Sequence, residues 1–247
     1  MKICAVQLAS VKGDLAANLS RHLLAAHQAA ERGAELICFS ELSLTSYEPS
    51  LARQLATTPD THLLQPLQAL SDTSHTSICV GLPLAVAGSV RIGMLILQPG
   101  GPRLVYTKRR LHEDETAWFC AGDEPLIFAA GSHQVAPAIC YESMFFEHAA
   151  EAHSLGADLY MVSVAKTAQG IEQGFVHYPE VARRLQMPVL MANCVGPADD
   201  FIGAGRSAAW DRQGQLMAAL DEQRQGLLML DSRRESAQTF TLTGLAV

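Results

Sequence analysis

Short apolar runs alternate along the chain with longer stretches in which apolar residues recur at helical spacing. The apolar runs predict strands over residues 3–8, 36–40, 77–84, 92–98, 103–107, 125–130, 134–140, 159–164 and 188–194. The helical spacing predicts helices over residues 15–32, 62–71, 145–154 and 175–185. After residue 200 the runs become short and turn residues separate them, at 207–211, 215–220 and 226–230, which is typical of antiparallel strands. We therefore predict an α/β fold that opens with a βαβ unit.

The composition favours one globular unit. Hydrophobic residues make up 49% and charged residues 17% of the 247 residues, as in chains that bury a large core. Because no Pro-, Gly- or Ser-rich or highly charged stretch interrupts the pattern as a linker would, we expect a single domain over residues 1–247. The tail from Arg233 to Val247 has apolar residues without a clear period, and we expect it to pack on a neighbouring element.

Charge and hydropathy exclude several classes of partner. The formal net charge is -7, whereas a nucleic acid or an anionic membrane surface would need a basic face. The first residues lack the long apolar segment of a signal peptide, and no later stretch is apolar for the length of a bilayer. We expect a cytoplasmic protein that contacts neither nucleic acid nor membrane.

Neither the cysteines nor the histidines follow a metal-binding pattern. The six cysteines form no C-x-x-C pair, and the nine histidines include no H-E-x-x-H motif. Four cysteines stand within apolar runs, where a small buried side chain is expected: Cys4, Cys38, Cys79 and Cys194. We expect no metal, no disulfide framework and no cofactor.

Three chemically reactive residues stand at the ends of predicted strands. Glu41 follows the strand of 36–40, Lys108 follows the strand of 103–107, and Cys140 closes the strand of 134–140. Ligands of open α/β sheets bind in the crevice beyond the carboxyl ends of the strands. We therefore expect these three side chains to share one site.

The three residues suit nucleophilic attack on a carbonyl or nitrile carbon. A thiol is mostly protonated at neutral pH, so Cys140 needs a base such as Glu41 to remove its proton. The ammonium of Lys108 and the backbone N–H of Tyr141 would stabilise the negative charge that develops. If the helix after Cys140 begins at Tyr141 and Glu142, its dipole would also favour the thiolate.

Ordered motifs over nearly the whole chain resemble the nitrilase-like carbon–nitrogen hydrolase family. They are SELSLTSY (40–47), YTKRRLHEDETAWFCAGD (106–123), AICYES (138–143), GADLYMVSVAK (156–166), ARRLQMPVLMANCVG (182–196) and GAGRSAAWDRQGQ (203–215). The resemblance implies a four-layer α-β-β-α sandwich of the nitrilase-like type and a catalytic Glu41–Lys108–Cys140 triad. It also implies cofactor-free cleavage of a non-peptide C–N bond through a thioester, with Glu115 as a second glutamate that holds Lys108. Members of this family usually pair, so a homodimer or larger homo-oligomer is implied.

Four residues are candidates for contact with the substrate. Tyr47 and His112 lie in loops beside Glu41 and Lys108, and Tyr141 follows the nucleophile. Met144 stands where some family members that act on carboxylate-bearing amides have an arginine, which favours an uncharged substrate. Strict nitrile hydrolysers tend to have tryptophan at the position of Tyr141, so tyrosine here favours amides.

Several functions fit these residues. The first is hydrolysis of a small-molecule amide with release of ammonia or an amine; an N-carbamoyl amide or a nitrile substrate is the alternative within the same family. A soluble acyltransferase would use the same thioester, because only the final acceptor differs. A non-catalytic binding protein is a third alternative, against which the intact set of three reactive residues argues.

Overall fold

The computed structural model describes residues 1–245, which form two mixed β-sheets with helices on their outer faces. The strands are β1 (Lys2–Gln7), β2 (Leu36–Cys38), β3 (Ser77–Val86), β4 (Ser89–Leu97), β5 (Leu104–Thr107), β6 (Phe128–Ala130), β7 (His133–Ile139), β8 (Leu159–Val164), β9 (Val189–Asn193), β10 (Val195–Ala198), β11 (Phe201–Ala204), β12 (Ala208–Trp210), β13 (Leu216–Ala219), β14 (Gly226–Asp231) and β15 (Ser236–Thr241). The helices are α1 (Leu15–Glu31), α2 (Ala52–Leu55), α3 (Gln65–Ser74), α4 (Phe146–Ser154) and α5 (Ala168–Leu185).

Each sheet has a parallel centre and antiparallel edges. The first sheet has the order β15-β14-β1-β2-β3-β4-β5, with β1, β2 and β3 parallel. The second has the order β13-β12-β9-β8-β7-β6, with β7, β8 and β9 parallel. Strands β10 and β11 form a separate hairpin. The parallel centres bring the carboxyl ends of β2, β7 and β8 to the sheet edges where ligands usually bind.

Both faces of each sheet carry hydrophobic side chains that are buried. Along β1, Ile3 and Ala5 face the second sheet, while Cys4 and Val6 face α1 and α3. The second sheet likewise packs one face on the first sheet and the other on α4 and α5, where Tyr160 is buried. Because successive side chains of a strand point to opposite faces, burial on both faces explains the continuous apolar runs of the sequence. The predicted four-layer α-β-β-α sandwich is confirmed, whereas the single-domain assignment stays a prediction.

Most predicted elements are confirmed, with differences at places where the local pattern is weak. Helix α5 begins at Ala168, seven residues before the predicted start at Phe175, because Thr167 caps it: its side chain accepts a 3.2 Å hydrogen bond from the N–H of Gly170. The hairpin of β10 and β11 and the edge strand β15 were not predicted. Strand β15 pairs with β14, so the tail does pack on a neighbouring element, and residues 246–247 of that tail lie outside the described residues.

Residues 1–245 lack two features that would point to a membrane or a metal as partner. No helix there is long and apolar enough to cross a membrane. The same residues contain no group of three or more His, Cys, Asp or Glu side chains that could hold a metal ion.

Candidate active site

Glu41 is held in a buried turn just beyond β2. The turn packs against β3, where the backbone N–H of Leu44 donates to the carbonyl oxygen of Gly81 at 3.0 Å. A Cβ on Gly81 would lie 2.5 Å from the backbone nitrogen of Leu42 and 2.8 Å from the carbonyl oxygen of Ser40. Only a glycine therefore lets the chain on both sides of Glu41 lie this close to the sheet. Glu41 is buried, and its side chain has no exposed surface.

Lys108 lies between two carboxylates. Its Nζ donates to Glu41 Oε1 at 2.7 Å and to Glu115 Oε1 at 2.6 Å, and the lysine has no exposed surface. Glu115 is fixed in turn, because its Oε1 accepts from the Tyr47 hydroxyl at 2.9 Å and its Oε2 accepts from the His112 backbone N–H at 2.8 Å. The structure therefore brings Glu41, Lys108 and Glu115 together, with a fixed ammonium at the centre.

Cys140 stands on a strained turn between β7 and α4. Its φ of +47° is in the left-handed region, which non-glycine residues rarely adopt. The side chain is partly exposed, and its Sγ lies 3.9 Å from the carbonyl oxygen of Ala165, just after β8. The Ser143 hydroxyl steadies the turn by donating to the Cys140 carbonyl oxygen at 2.5 Å. A strained turn directly after a strand, with a partly exposed side chain, is also the setting of the nucleophile in α/β-hydrolases.

Cys140 does not stand at the N-terminus of helix α4. Residues Cys140–Met144 form a separate 3₁₀ turn, and Phe145 is extended before α4 begins at Phe146. Helix α4 therefore does not begin at Tyr141 and Glu142, so the condition for a helix dipole at Cys140 is not met, and α4 begins one residue after the predicted start at Phe145. The physical reason is that Glu142 uses its side chain to close the turn on itself, accepting from the Ile139 N–H at 2.7 Å.

Glu142 also links the turn to the end of β5, next to Lys108. This link is not predicted by the sequence. The buried carboxylate of Glu142 accepts from the Tyr106 hydroxyl at 2.7 Å and from the Arg109 N–H at 2.6 Å. Tyr106 lies in β5, two residues before Lys108, and Arg109 follows Lys108. An acidic residue two positions after a candidate nucleophile was the available signal, but Tyr106 and Arg109 lie 33 to 36 residues away from it.

Burial and mutual charge set the protonation of the site. Burial, with help from Glu115 and against Lys108 and Cys140, raises the pKa of Glu41 to about 7. Burial and the charge of Glu41 raise the pKa of the Cys140 thiol to about 11, although Lys166 and Lys108 act in the opposite direction. Burial lowers the pKa of Lys108, but the charges of Glu41, Cys140 and Glu115 outweigh it and raise that pKa above its usual value. The resting thiol is therefore protonated, beside a carboxylate that ionises near neutral pH.

The four candidate substrate contacts differ in their surroundings. Tyr47 is tied to Glu115 and packs on the core between the sheets. The rings of Tyr141 and His112 meet edge to face at 5.0 Å, and the His112 Nδ1 lies 2.6 Å from Asp114 on the surface. Met144 packs with the cluster under α4 and α5. The roles of all four in binding stay predictions.

The chain is similar over nearly its whole length to known carbon–nitrogen hydrolases. The profile of the carbon–nitrogen hydrolase family matches residues 2–241. An (R)-stereoselective amidase of a Pseudomonas species is 30% identical over 232 residues, which are 91% of this chain and 83% of that protein. The solved structure of an amidase from Nesterenkonia sp. is 25% identical with a TM-score of 0.83, and the match covers 93% of this chain and 89% of that one.

A further structure shows the same fold with an amide bound. It is an alanine variant of the amidase from Nesterenkonia sp. AN1 in complex with butyramide, 24% identical, with a TM-score of 0.85 and coverage of 95% of this chain and 92% of that one. The family profile spans nearly the whole described chain, and the amidase of the Pseudomonas species matches most of its length. The chain therefore belongs to the carbon–nitrogen hydrolase family, and the enzyme class and four-layer fold expected from its motifs are confirmed.

Proposed function

We propose that this protein hydrolyses the C–N bond of a small-molecule amide through a thioester on Cys140. The observation that carries the proposal is the buried Glu41–Lys108–Glu115 chain of ion pairs beside a cysteine on a strained, partly exposed turn. Two of the similar proteins are amidases, one of them solved with butyramide, which favours an amide over a nitrile substrate.

In the first half of the reaction, Glu41 removes the proton from the Cys140 thiol while Sγ bonds to the amide carbon. The negative charge moves to the carbonyl oxygen, where the Lys108 ammonium and the Tyr141 N–H stabilise it. The Tyr141 N–H stands in the first turn of the 3₁₀ segment, where N–H groups lack partners within the segment. The C–N bond then breaks, and the proton held by Glu41 passes to the leaving ammonia or amine.

In the second half, Glu41 is ionised again and accepts a proton from water as the water oxygen attacks the thioester carbon. The C–S bond breaks, the acid leaves, and the proton on Glu41 returns to the Cys140 thiolate. A pKa near 7 suits this double role, because Glu41 must give up and accept a proton in each turnover. Glu115 would hold Lys108 in place throughout, since the two share a 2.6 Å ion pair.

The test is ammonia release from a panel of aliphatic amides, carbamoyl amines and nitriles. Wild type should release ammonia from an amide, and Cys140→Ala should release none. Cys120→Ala is the matched control, because Cys120 is an exposed free cysteine and its loss should leave the rate unchanged. Equal activity of wild type and Cys140→Ala would contradict the thiol mechanism. Added hydroxylamine tests the alternative, since a transferase would form the hydroxamate in preference to the acid.

We also propose that the protein is cytoplasmic and forms a homodimer or larger homo-oligomer. Apolar surface on the outer helix α5 supports the second part, because Val176 there is 77% exposed. Light scattering on the purified protein tests the oligomeric state, and a monomer at micromolar concentration would contradict it.

A further inference from the structure

A second lysine lies near Cys140 in the fold. Lys166 comes two residues after the end of β8 and directly after Ala165, whose carbonyl oxygen contacts the Cys140 Sγ. Its backbone is fixed, because its N–H donates to Asn193 Oδ1 at 2.9 Å and its carbonyl oxygen accepts from the Ala204 N–H at 3.0 Å. Lys166 therefore has a defined place on the rim of the site, although the mechanism above does not use it.

The aliphatic stem of Lys166 is packed against α5, while its ammonium makes no hydrogen bond or ion pair with the described residues. Lys166 is 9% exposed as a whole residue, and a Cβ on Gly170 in α5 would lie 3.4 to 3.7 Å from its Cβ, Cγ and Cδ atoms. Within residues 1–245, no carboxylate lies within 4.0 Å of its Nζ and no hydrogen-bond acceptor is in reach. Among the described residues, the Lys166 Nζ has no hydrogen-bond partner and is not one of the fully buried polar atoms. It therefore has surface that a ligand can reach.

The charge of Lys166 acts on the nucleophile. Burial is the main influence on the pKa of both Cys140 and His177, and the positive charge of Lys166 lowers both pKa values. The backbone agrees with this, because Lys166 directly follows Ala165, whose carbonyl oxygen lies 3.9 Å from the Cys140 Sγ, and its stem lies against Gly170 of α5. An ammonium that reaches accessible space without an acceptor from the described residues keeps its three N–H donors for a bound anion.

We propose that Lys166 is a specificity-determining residue that binds a carboxylate of the substrate, so that the preferred substrates are amides that carry a carboxylate. This inference rests on the amide hydrolysis proposed above. It reverses the expectation of an uncharged substrate drawn from Met144, because the cation enters from the β8 side of the crevice. An ammonium with three free donors suits a carboxylate, which accepts hydrogen bonds at both oxygens.

A purely electrostatic role for Lys166 is the competing explanation. With Glu41 and Glu115 ionised and Lys108 protonated, the three groups sum to one negative charge, which Lys166 would balance. Such a role would slow the reaction of every amide equally when Lys166 is replaced. Binding of a carboxylate would instead change the preference between charged and uncharged substrates, so the ratio of their kcat/KM values separates the two explanations.

The experiment compares matched substrate pairs in wild type, Lys166→Met and Lys166→Arg. On the acyl side the pairs are succinamate, glutaramate and adipamate against their methyl esters, followed by ammonia release. On the amine side the pair is N-acetylglycine against its methyl ester, followed by formation of the amine product. Arg212→Met is the control, because it removes one positive charge from an exposed turn at the opposite end of the second sheet.

Wild type should prefer the carboxylate over the ester in one arm, and that arm identifies the side of the substrate that carries the charge. Lys166→Met should lower this preference roughly 10- to 100-fold, as expected for a desolvated charge pair, while Lys166→Arg and Arg212→Met keep most of it. If wild type hydrolyses the esters as well as the carboxylates, or if Lys166→Met slows both equally, the inference is wrong while amide hydrolysis stands. If wild type hydrolyses neither member of any pair nor any simple amide, the proposed function itself is wrong and the inference fails with it.

Discussion

Replacing Glu142 with glutamine should loosen the turn that carries Cys140 relative to the strand end that carries Lys108. One carboxylate oxygen of Glu142 accepts from the Ile139 N–H and the Tyr106 hydroxyl, and the other accepts from the Arg109 N–H. Glutamine has nearly the same shape but offers one acceptor oxygen and one NH₂ donor. In either orientation its NH₂ group meets a backbone N–H that needs an acceptor.

The cost follows from the bonds that are lost. A hydrogen bond to a charged group contributes about 1.5 to 3 kcal/mol, so the weakening of two such bonds should lower the free energy of unfolding by about 3 kcal/mol. For a chain of this size, that corresponds to a drop in Tm of roughly 6 to 12 °C. Because Arg109 and Ile139 are the direct neighbours of Lys108 and Cys140, we also expect kcat to fall roughly tenfold through misplacement of these groups.

Thermal unfolding followed by circular dichroism, together with kcat on an amide substrate, checks both effects. Glu147→Gln is the matched control, since it removes the same charge from an exposed position at the start of α4 and should change neither quantity. If Glu142→Gln unfolds at the same temperature as the Glu147→Gln protein, the carboxylate does not hold the turn and the reasoning is refuted.

Two further predictions concern Glu41 and its support. Because burial raises the pKa of Glu41 to about 7 and only the ionised carboxylate accepts the thiol proton, kcat/KM should rise with pH through an apparent pKa of about 7; a pH–rate profile that is flat across neutrality would contradict this. Gly81→Ala should lower Tm and kcat, because its Cβ would lie 2.5 Å from the backbone nitrogen of Leu42. Gly101→Ala, with no atom nearer than 3.6 Å, is the control in the same melting and rate assays, and equal behaviour of the two variants would refute the steric argument.

The strands that lie inside the sheets could be predicted because both of their faces are buried. The apolar run of 159–164 matches β8 residue for residue, and all six of its residues are buried. Strand β15 lies at a sheet edge with no fully buried residue, so its sequence shows no period. The first turns of α5 contain Gly170 and Gly174, which are weak helix formers, and Gly174 is there because a Cβ would lie 2.9 Å from the ring of Tyr178. The local sequence pattern therefore fails to predict an element where tertiary packing, rather than helix or strand preference, determines which residue is used.

The candidate site also contains residues that the sequence predicts and residues that it does not. Glu41, Lys108 and Cys140 could be singled out because each follows a strand within a motif, and strand ends gather at one edge of a sheet. The residues that hold these three side chains in place could not be predicted from the sequence. The contacts of Lys108 with Glu41 and of Glu142 with Tyr106 join residues 67 and 36 positions apart.

By itself, the sequence determined the alternation of strands and helices and the residue types able to attack a carbonyl carbon, since both depend on short-range periodicity and side-chain chemistry. The tertiary structure decided the rest. It placed Lys108 between two carboxylates, put Cys140 on a separate turn rather than a helix end, and set Lys166 directly after Ala165, whose carbonyl oxygen contacts the Cys140 Sγ. The physical reason is that burial and charge pairing arise only when distant segments pack, and they set the pKa values and contacts on which the chemistry depends.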